Sequence, residues 1–101
     1  MPILATDDFG ARIQALRPGV AQSVAIDAAT HASTPFGTGT TVIRAVATAP
    51  CFLALGPAPA ATAAGHYLPA DAPEYFRVVP GEAIAAIRAA GDGTLHLSEM
   101  Q

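Results

Sequence analysis

Glycine and proline punctuate this sequence at short intervals, and no other feature constrains its fold as strongly. They occur singly and as pairs such as Pro18-Gly19, Gly56-Pro57 and Pro80-Gly81. The segments between them are roughly five to ten residues long, and regularly spaced short segments with turn signals are typical of all-β folds. The spacing therefore predicts an all-β protein, with a single small antiparallel β-sandwich or jelly-roll-like domain.

Alternation within the segments supports this prediction. Residues 41–47 place Val42, Arg44 and Val46 on one face and Ile43, Ala45 and Ala47 on the other. The most secure strands are predicted at 42–47, 52–55, 74–79 and 94–98, and a further strand near residues 20–26 is expected to pair with residues 13–16. The predicted core residues are Leu53, Leu55, Phe76, Val78, Leu95 and Leu97, whereas His96 should point to solvent.

Residues 82–90 are the ambiguous segment. Glu82, the alanines that follow and Gly91 form a helix-favouring pattern. However, Ile84 and Ile87 provide only a thin apolar stripe, and strands are predicted on both sides. Pro80-Gly81 and Gly91-Asp92-Gly93 would serve as hairpin turns. We expect a strand here, largely because of the family resemblance carried by the motifs described below.

Length and charge limit what the chain can do. Its 101 residues allow one domain, which we divide into an N-terminal arm at 1–10 and a sandwich at 11–101. It has a net charge of −3, five arginines and no lysine, so a nucleic-acid partner is not expected. The uncharged stretch 45–70 contains too many prolines and glycines for a membrane span, and the acidic start does not fit a signal peptide.

Residues suited to catalysis are scattered. The histidines, His31, His66 and His96, lie about 30 residues apart, which does not indicate a metal site. Cys51 lies between Pro50 and Phe52 and is expected to be a small buried residue. Most carboxylates fall at turns and termini, and Gly37-Thr38-Gly39 is too short for a phosphate-binding loop. We predict no enzyme activity, no catalytic residues, no metal and no cofactor.

The second half of the chain carries an ordered set of short motifs. They are Thr41-Val42-Ile43-Arg44, Cys51-Phe52-Leu53-Ala54-Leu55-Gly56, Leu68-Pro69-Ala70, Glu74-Tyr75-Phe76, Pro80-Gly81-Glu82 and Gly93-Thr94-Leu95-His96-Leu97-Ser98-Glu99-Met100. This order, over about 60 residues from Gly39 to Met100, resembles a family of small virion structural proteins of tailed bacteriophages. The resemblance implies a β-sandwich with a non-enzymatic role in the particle, assembled in the bacterial host cytoplasm.

Within that family, a capsid decoration (cement) protein on the head shell is the preferred interpretation. The expected partners are the major capsid protein or other virion proteins and further copies of the chain, with a trimer favoured. Only Arg44 is charged between residues 28 and 70, so we expect the loop 56–65 and the N-terminal arm to make the contacts. The predicted contact residues are Phe9, Gly56, Pro57, Pro59, Ala61 and Thr62.

Three alternatives remain open at this point. The chain could be a head–tail connector or tail component of the same particle. It could instead be a small-molecule- or carbohydrate-binding module that uses Tyr67, Tyr75 and Phe76 as a stacking platform. A small metalloenzyme that uses the three histidines is the third interpretation.

Overall fold

The described part of the chain, in a computed structural model, consists of residues 17–100 and the backbone of residues 5–6 and 12–13. Phe9 and most of the predicted arm lie outside these residues. The described residues form ten strands and no helix. They therefore contain no helix that is long and apolar enough to cross a membrane. The strands are β1 Ala5–Thr6, β2 Arg12–Ile13, β3 Pro18–Ile26, β4 His31–Ala32, β5 Val42–Ala47, β6 Cys51–Gly56, β7 His66–Leu68, β8 Glu74–Arg77, β9 Ala83–Arg88 and β10 Gly93–Met100.

Two antiparallel sheets of four strands form the domain. Sheet I has the order β3-β10-β5-β8, and sheet II has the order β4-β9-β6-β7. From β3 onward, every connection crosses from one sheet to the other except the β6–β7 hairpin. Eight strands arranged in this double Greek-key order are a jelly roll. The predicted all-β class and jelly-roll-like architecture are therefore confirmed.

Strand alternation decides which residues fill the space between the sheets. In β5, Ile43, Ala45 and Ala47 are buried, while Val42, Arg44 and Val46 are half-buried on the outer face. In β10, Leu95 and Leu97 are buried and His96 is exposed, as predicted. The period-two pattern therefore identified the inner faces of both strands.

The ambiguous segment forms a central strand of sheet II. β9 lies between β4 and β6, and Ala83, Ile84, Ala85 and Ala86 are all buried. A strand buried on both faces between close neighbours has room for small side chains, and this tertiary constraint outweighs the helix propensity of alanine. The prediction of a strand at 82–90 is confirmed.

The two predicted hairpin turns are sheet crossings instead. Pro80-Gly81 leads from β8 in sheet I to β9 in sheet II, and residues 91–93 lead back to β10 in sheet I. Gly81 has a φ of +89°, and the Glu82 N–H donates to the Val79 carbonyl at 3.0 Å. The local turn geometry was therefore predicted correctly, but the strand pairing was not. The 20–26 segment also pairs differently, because β3 lies beside β10 and Ile13 beside Ala5.

The predicted core is correct except at one end. Leu53, Val78, Leu95 and Leu97 are buried, and Phe76 is partly buried against the core. Leu55 is 40% exposed although it lies on the same inner face as Leu53. Leu55 lines an open cleft at this end of the interior, so the prediction that it is a core residue is wrong.

Candidate functional site

The outer face of sheet II is apolar and carries no charged residue along its strands. The outward positions follow from the cross-strand register, since residues directly opposite each other point to the same side. They are Ala32, Phe52, Ala54, Tyr67, Ala83, Ala85 and Ile87. This uncharged outer face is the leading candidate for contact with another molecule.

Large side chains form one row across this face. Phe52 lies opposite Tyr67 on one side and Ile87 on the other. The Phe52 and Tyr67 rings meet edge to face, with centroids 5.6 Å apart at 60°. Phe52 and Ile87 are half-buried, but Tyr67 is 48% exposed. The row therefore presents a fixed aromatic edge to the surroundings.

The loop 56–65 folds back across the rest of the same face. It leaves β6, yet the Ala61 N–H donates at 2.8 Å to Oγ1 of Thr30, which precedes β4 on the far side of β9. Ala83 and Ala85 point outward from β9 but are buried, as expected if the loop covers them. Alanine on both surfaces allows the loop backbone to approach the sheet closely.

This arrangement changes the predicted contact set. Ala61 is only 4% exposed and Gly56 is buried, so both face their own domain and offer no side chain to a partner. Pro57 and Thr62 are exposed, and Pro59 is half-buried. The contact prediction therefore needs correction at Ala61, where the loop packs against its own sheet.

The outer face of sheet I is different in character. Arg44 and Arg77 point outward from β5 and β8, and His96 points outward from β10. Tyr75 lies opposite Arg44 on this face and is 58% exposed. Tyr67 and Tyr75 therefore lie on opposite outer faces of the sandwich while Phe76 points inward, so the three do not form one stacking platform.

A cleft opens between the sheets where β8 ends. It has a volume of about 280 Å³ and is lined by Leu53, Ala54, Leu55, His66, Phe76 and Ile84. His66 Nε2 lies 2.9 Å from Oε1 of Glu74, and its ring meets that of Phe76 edge to face at 5.5 Å. An apolar cleft with a single histidine–carboxylate pair at its side could hold a small, largely apolar group.

The remaining histidines and the cysteine lie apart. His31 contacts Asp27 at 2.9 Å beside β4, and His96 lies 3.5 Å from Ser23 on sheet I. Within residues 17–100, no three His, Cys, Asp or Glu side chains come together as metal ligands. Cys51 is buried, and its burial raises the pKa of the thiol to about 11, which disfavours the nucleophilic thiolate.

One buried carboxylate was missed by the sequence analysis. Glu99 lies on β10, where its Oε1 accepts the Gly37 N–H at 3.0 Å and the Thr40 hydroxyl. It therefore ties the turn 37–40 to the last strand. The alternation of Leu95 and Leu97 places residue 99 on the inner face, and this signal could have identified it.

Compared with protein family models, curated proteins and solved structures, the chain matches none of them.

Proposed function

We propose that this protein is a non-enzymatic structural component of a tailed bacteriophage particle, and that it decorates the head shell. The motifs that resemble those of phage virion proteins lie mainly on β5, β6, β8 and β10, and so they contribute strands to both sheets. Jelly rolls recur among viral capsid proteins, which supports this proposal by analogy of fold.

The observation that carries the proposal is the uncharged outer face of sheet II. Its exposed tyrosine is held by Phe52, and the loop beside it is built from alanine and proline. Such a surface loses little side-chain entropy when it docks. In a particle, a modest contact is repeated over many copies, so no single contact needs to be strong.

The test is binding to phage heads produced without the protein from the genome that encodes it. Tyr67→Glu places a charge on the sheet II face, and Tyr75→Glu is the matched control on sheet I. We expect Tyr67→Glu to lower occupancy at least about tenfold at a fixed protein concentration, and Tyr75→Glu to bind like the wild type. Quantitative mass spectrometry of washed heads measures the occupancy.

Other results would change the proposal in defined ways. If the wild-type protein does not bind heads and is missing from intact particles, the proposal fails. If it is found on tails or at the head–tail junction, the connector or tail interpretation replaces decoration. If both tyrosine variants bind normally, the sheet II face is not the contact surface.

The cleft supports a second candidate, a small-molecule- or carbohydrate-binding module. Phe76 and His66 provide aromatic surface and Glu74 provides a hydrogen-bond acceptor at one opening. NMR titration with simple sugars and small apolar ligands tests this function. Saturable shifts confined to residues around Phe76, abolished by Phe76→Ala, would favour it over a purely structural role.

A further inference from the structure

The cleft between the two sheets has one polar side, formed by His66 of β7 and Glu74 of β8. His66 lies opposite the buried Leu53, and Glu74 lies opposite the buried Ala45, so both side chains point into the space between the sheets. His66 Nε2 and Glu74 Oε1 meet there at 2.9 Å. A carboxylate only accepts hydrogen bonds, so Nε2 carries the proton of this contact. All the other residues that line the cleft are apolar.

This polar side offers a hydrogen-bond acceptor and a negative charge. Glu74 Oε2 has no hydrogen-bond partner among the described residues, and the side chain is 36% exposed. Arg44 and Arg77 point to the outer face of sheet I, away from the inward Phe76, so neither arginine lines the cleft. A ligand head that donates hydrogen bonds and carries a positive charge therefore complements this side, and an ammonium group has both properties.

The apolar part of the cleft fits a hydrocarbon body. Leu53, Leu55 and Ile84 line it from sheet II, and Phe76 lines it from sheet I. Its volume of about 280 Å³ is nearly twice the roughly 150 Å³ of a cavity that binds benzene, so one ring with a short chain has room. A sugar has a hydroxyl on almost every carbon, and an apolar lining leaves most of these without a partner.

We propose that the cleft binds a small aromatic amine, with the ring between Leu55, Ile84 and Phe76 and the ammonium group at Glu74. This inference rests on the second candidate function, ligand binding in the cleft, and is independent of a role in the phage particle. The apolar lining then determines whether a ligand binds, and the Glu74 carboxylate determines which head group is preferred.

Three probes of similar shape test the head group: 2-phenylethylamine, 2-phenylethanol and phenylacetate. NMR titration of the full chain at neutral pH measures their dissociation constants, which should be in the millimolar range for ligands this small. We expect the amine to bind at least about fivefold more tightly than the alcohol, because a charge-assisted hydrogen bond is stronger than a neutral one, and phenylacetate to bind most weakly. Leu55→Trp fills the cleft and should abolish binding of all three.

Glu74→Gln tests the carboxylate. It keeps the shape and the acceptor for His66 but removes the charge, so the affinity for 2-phenylethylamine should fall at least about fivefold. The affinity for 2-phenylethanol should not change, which also shows that the variant keeps its fold and its cleft. Asp92→Asn is the matched control, because it changes the net charge equally at an exposed carboxylate beyond the far end of β9 from Ile84. It should bind all three probes like the wild type.

The outcomes separate the inference from the function on which it rests. If none of the probes binds at about 50 mM, or if Leu55→Trp binds like the wild type, both fail. If the amine and the alcohol bind equally, or Glu74→Gln keeps the preference for the amine, the cleft binds ligands but the inference is overturned. Tighter binding of a simple sugar than of the amine overturns it as well. An equal loss of amine affinity in Asp92→Asn and Glu74→Gln does so too, because the amine then responds only to net charge.

Discussion

The two sheets of this jelly roll share one interior but have opposite outer faces. Sheet I carries Arg44, Arg77 and His96 on its outer face, whereas the strands of sheet II carry only apolar residues there. In both sheets, outward residues alternate along each strand with inward residues that fill the shared core. The fold itself therefore does not determine the difference in charge between the two outer faces. On the sheet II side, the loop 56–65 reaches past β9 and is held there by the hydrogen bond from the Ala61 N–H to Thr30.

The comparison indicates how a sequence with few charged residues can distribute them unequally between its two outer faces. Ala83 and Ala85 point outward from β9 and yet are buried, and the loop is tied to Thr30 beyond β9 by the Ala61 N–H. At the start of β7, space is limited at Gly65, where a Cβ would lie 2.7 Å from the Leu53 carbonyl oxygen. Glycine at position 65 therefore has a packing role.

The largest expected effect is at Ala85. Ala85→Asp buries a charge under the loop and should lower the free energy of unfolding by about 3–5 kcal/mol. Ala25→Asp, on the exposed outer face of sheet I, should change it by only about 0.5 kcal/mol. Urea unfolding followed by circular dichroism measures both. A cost below about 1 kcal/mol for Ala85→Asp would mean that the loop does not cover sheet II.

The two exposed tyrosines offer a finer comparison. Tyr67 meets the Phe52 ring, whereas Tyr75 has no aromatic partner among the described residues. Tyr67→Ala should therefore be more destabilising than Tyr75→Ala by about 0.5–1.5 kcal/mol, the value of an aromatic pair. The same unfolding measurement applies. Equal losses would show that the row across sheet II is not a stabilising contact.

The smallest expected effect concerns the link between the sheets at Asp27. Its carboxylate accepts the Ala29 N–H at 2.9 Å, which lowers the pKa of Asp27 below its ordinary value of 3.8, and His31 adds to the effect. A lowered pKa stabilises the fold above the unfolded-state value, and this contribution is lost as the pH falls through the folded pKa. Asp27→Asn should weaken the dependence of the free energy of unfolding on pH below about pH 4. If the variant and the wild type show the same pH dependence of the free energy of unfolding in acid, this assignment is wrong.

Local pattern was sufficient to predict the longer strands of the sandwich, but not the short strands β4 and β7. Alternation at 42–47 and 94–98 reported burial directly, because neighbouring side chains must point to opposite sides of a sheet. The alanine-rich strand 83–88 was not evident from local pattern, which favours a helix there; its assignment as a strand depended largely on the resemblance to phage virion proteins. The same rule, extended to residue 99, predicts an inward Glu99.

Long-range features could not be predicted from local pattern. The Val79–Glu82 turn has the same geometry whether it joins partners in one sheet or crosses between two, so Pro80-Gly81 did not reveal the pairing. The position of Ala61 depends on Thr30, which is distant in sequence. Leu55 has the alternation of a core residue, but it lines an open cleft, which no local pattern reveals.

The crossing connections also affect how the domain acquires its structure. β6–β7 is the only hairpin within the two main sheets, so every other strand pair in them joins segments that are distant in sequence. These pairs can form only after the distant segments have met. Closing long loops before any contact is gained slows folding, and all-β domains with such non-local pairing fold in about milliseconds to seconds. The β6–β7 hairpin is the one unit of the sandwich that can form early, so it is the natural nucleus on which β9 and then sheet I assemble.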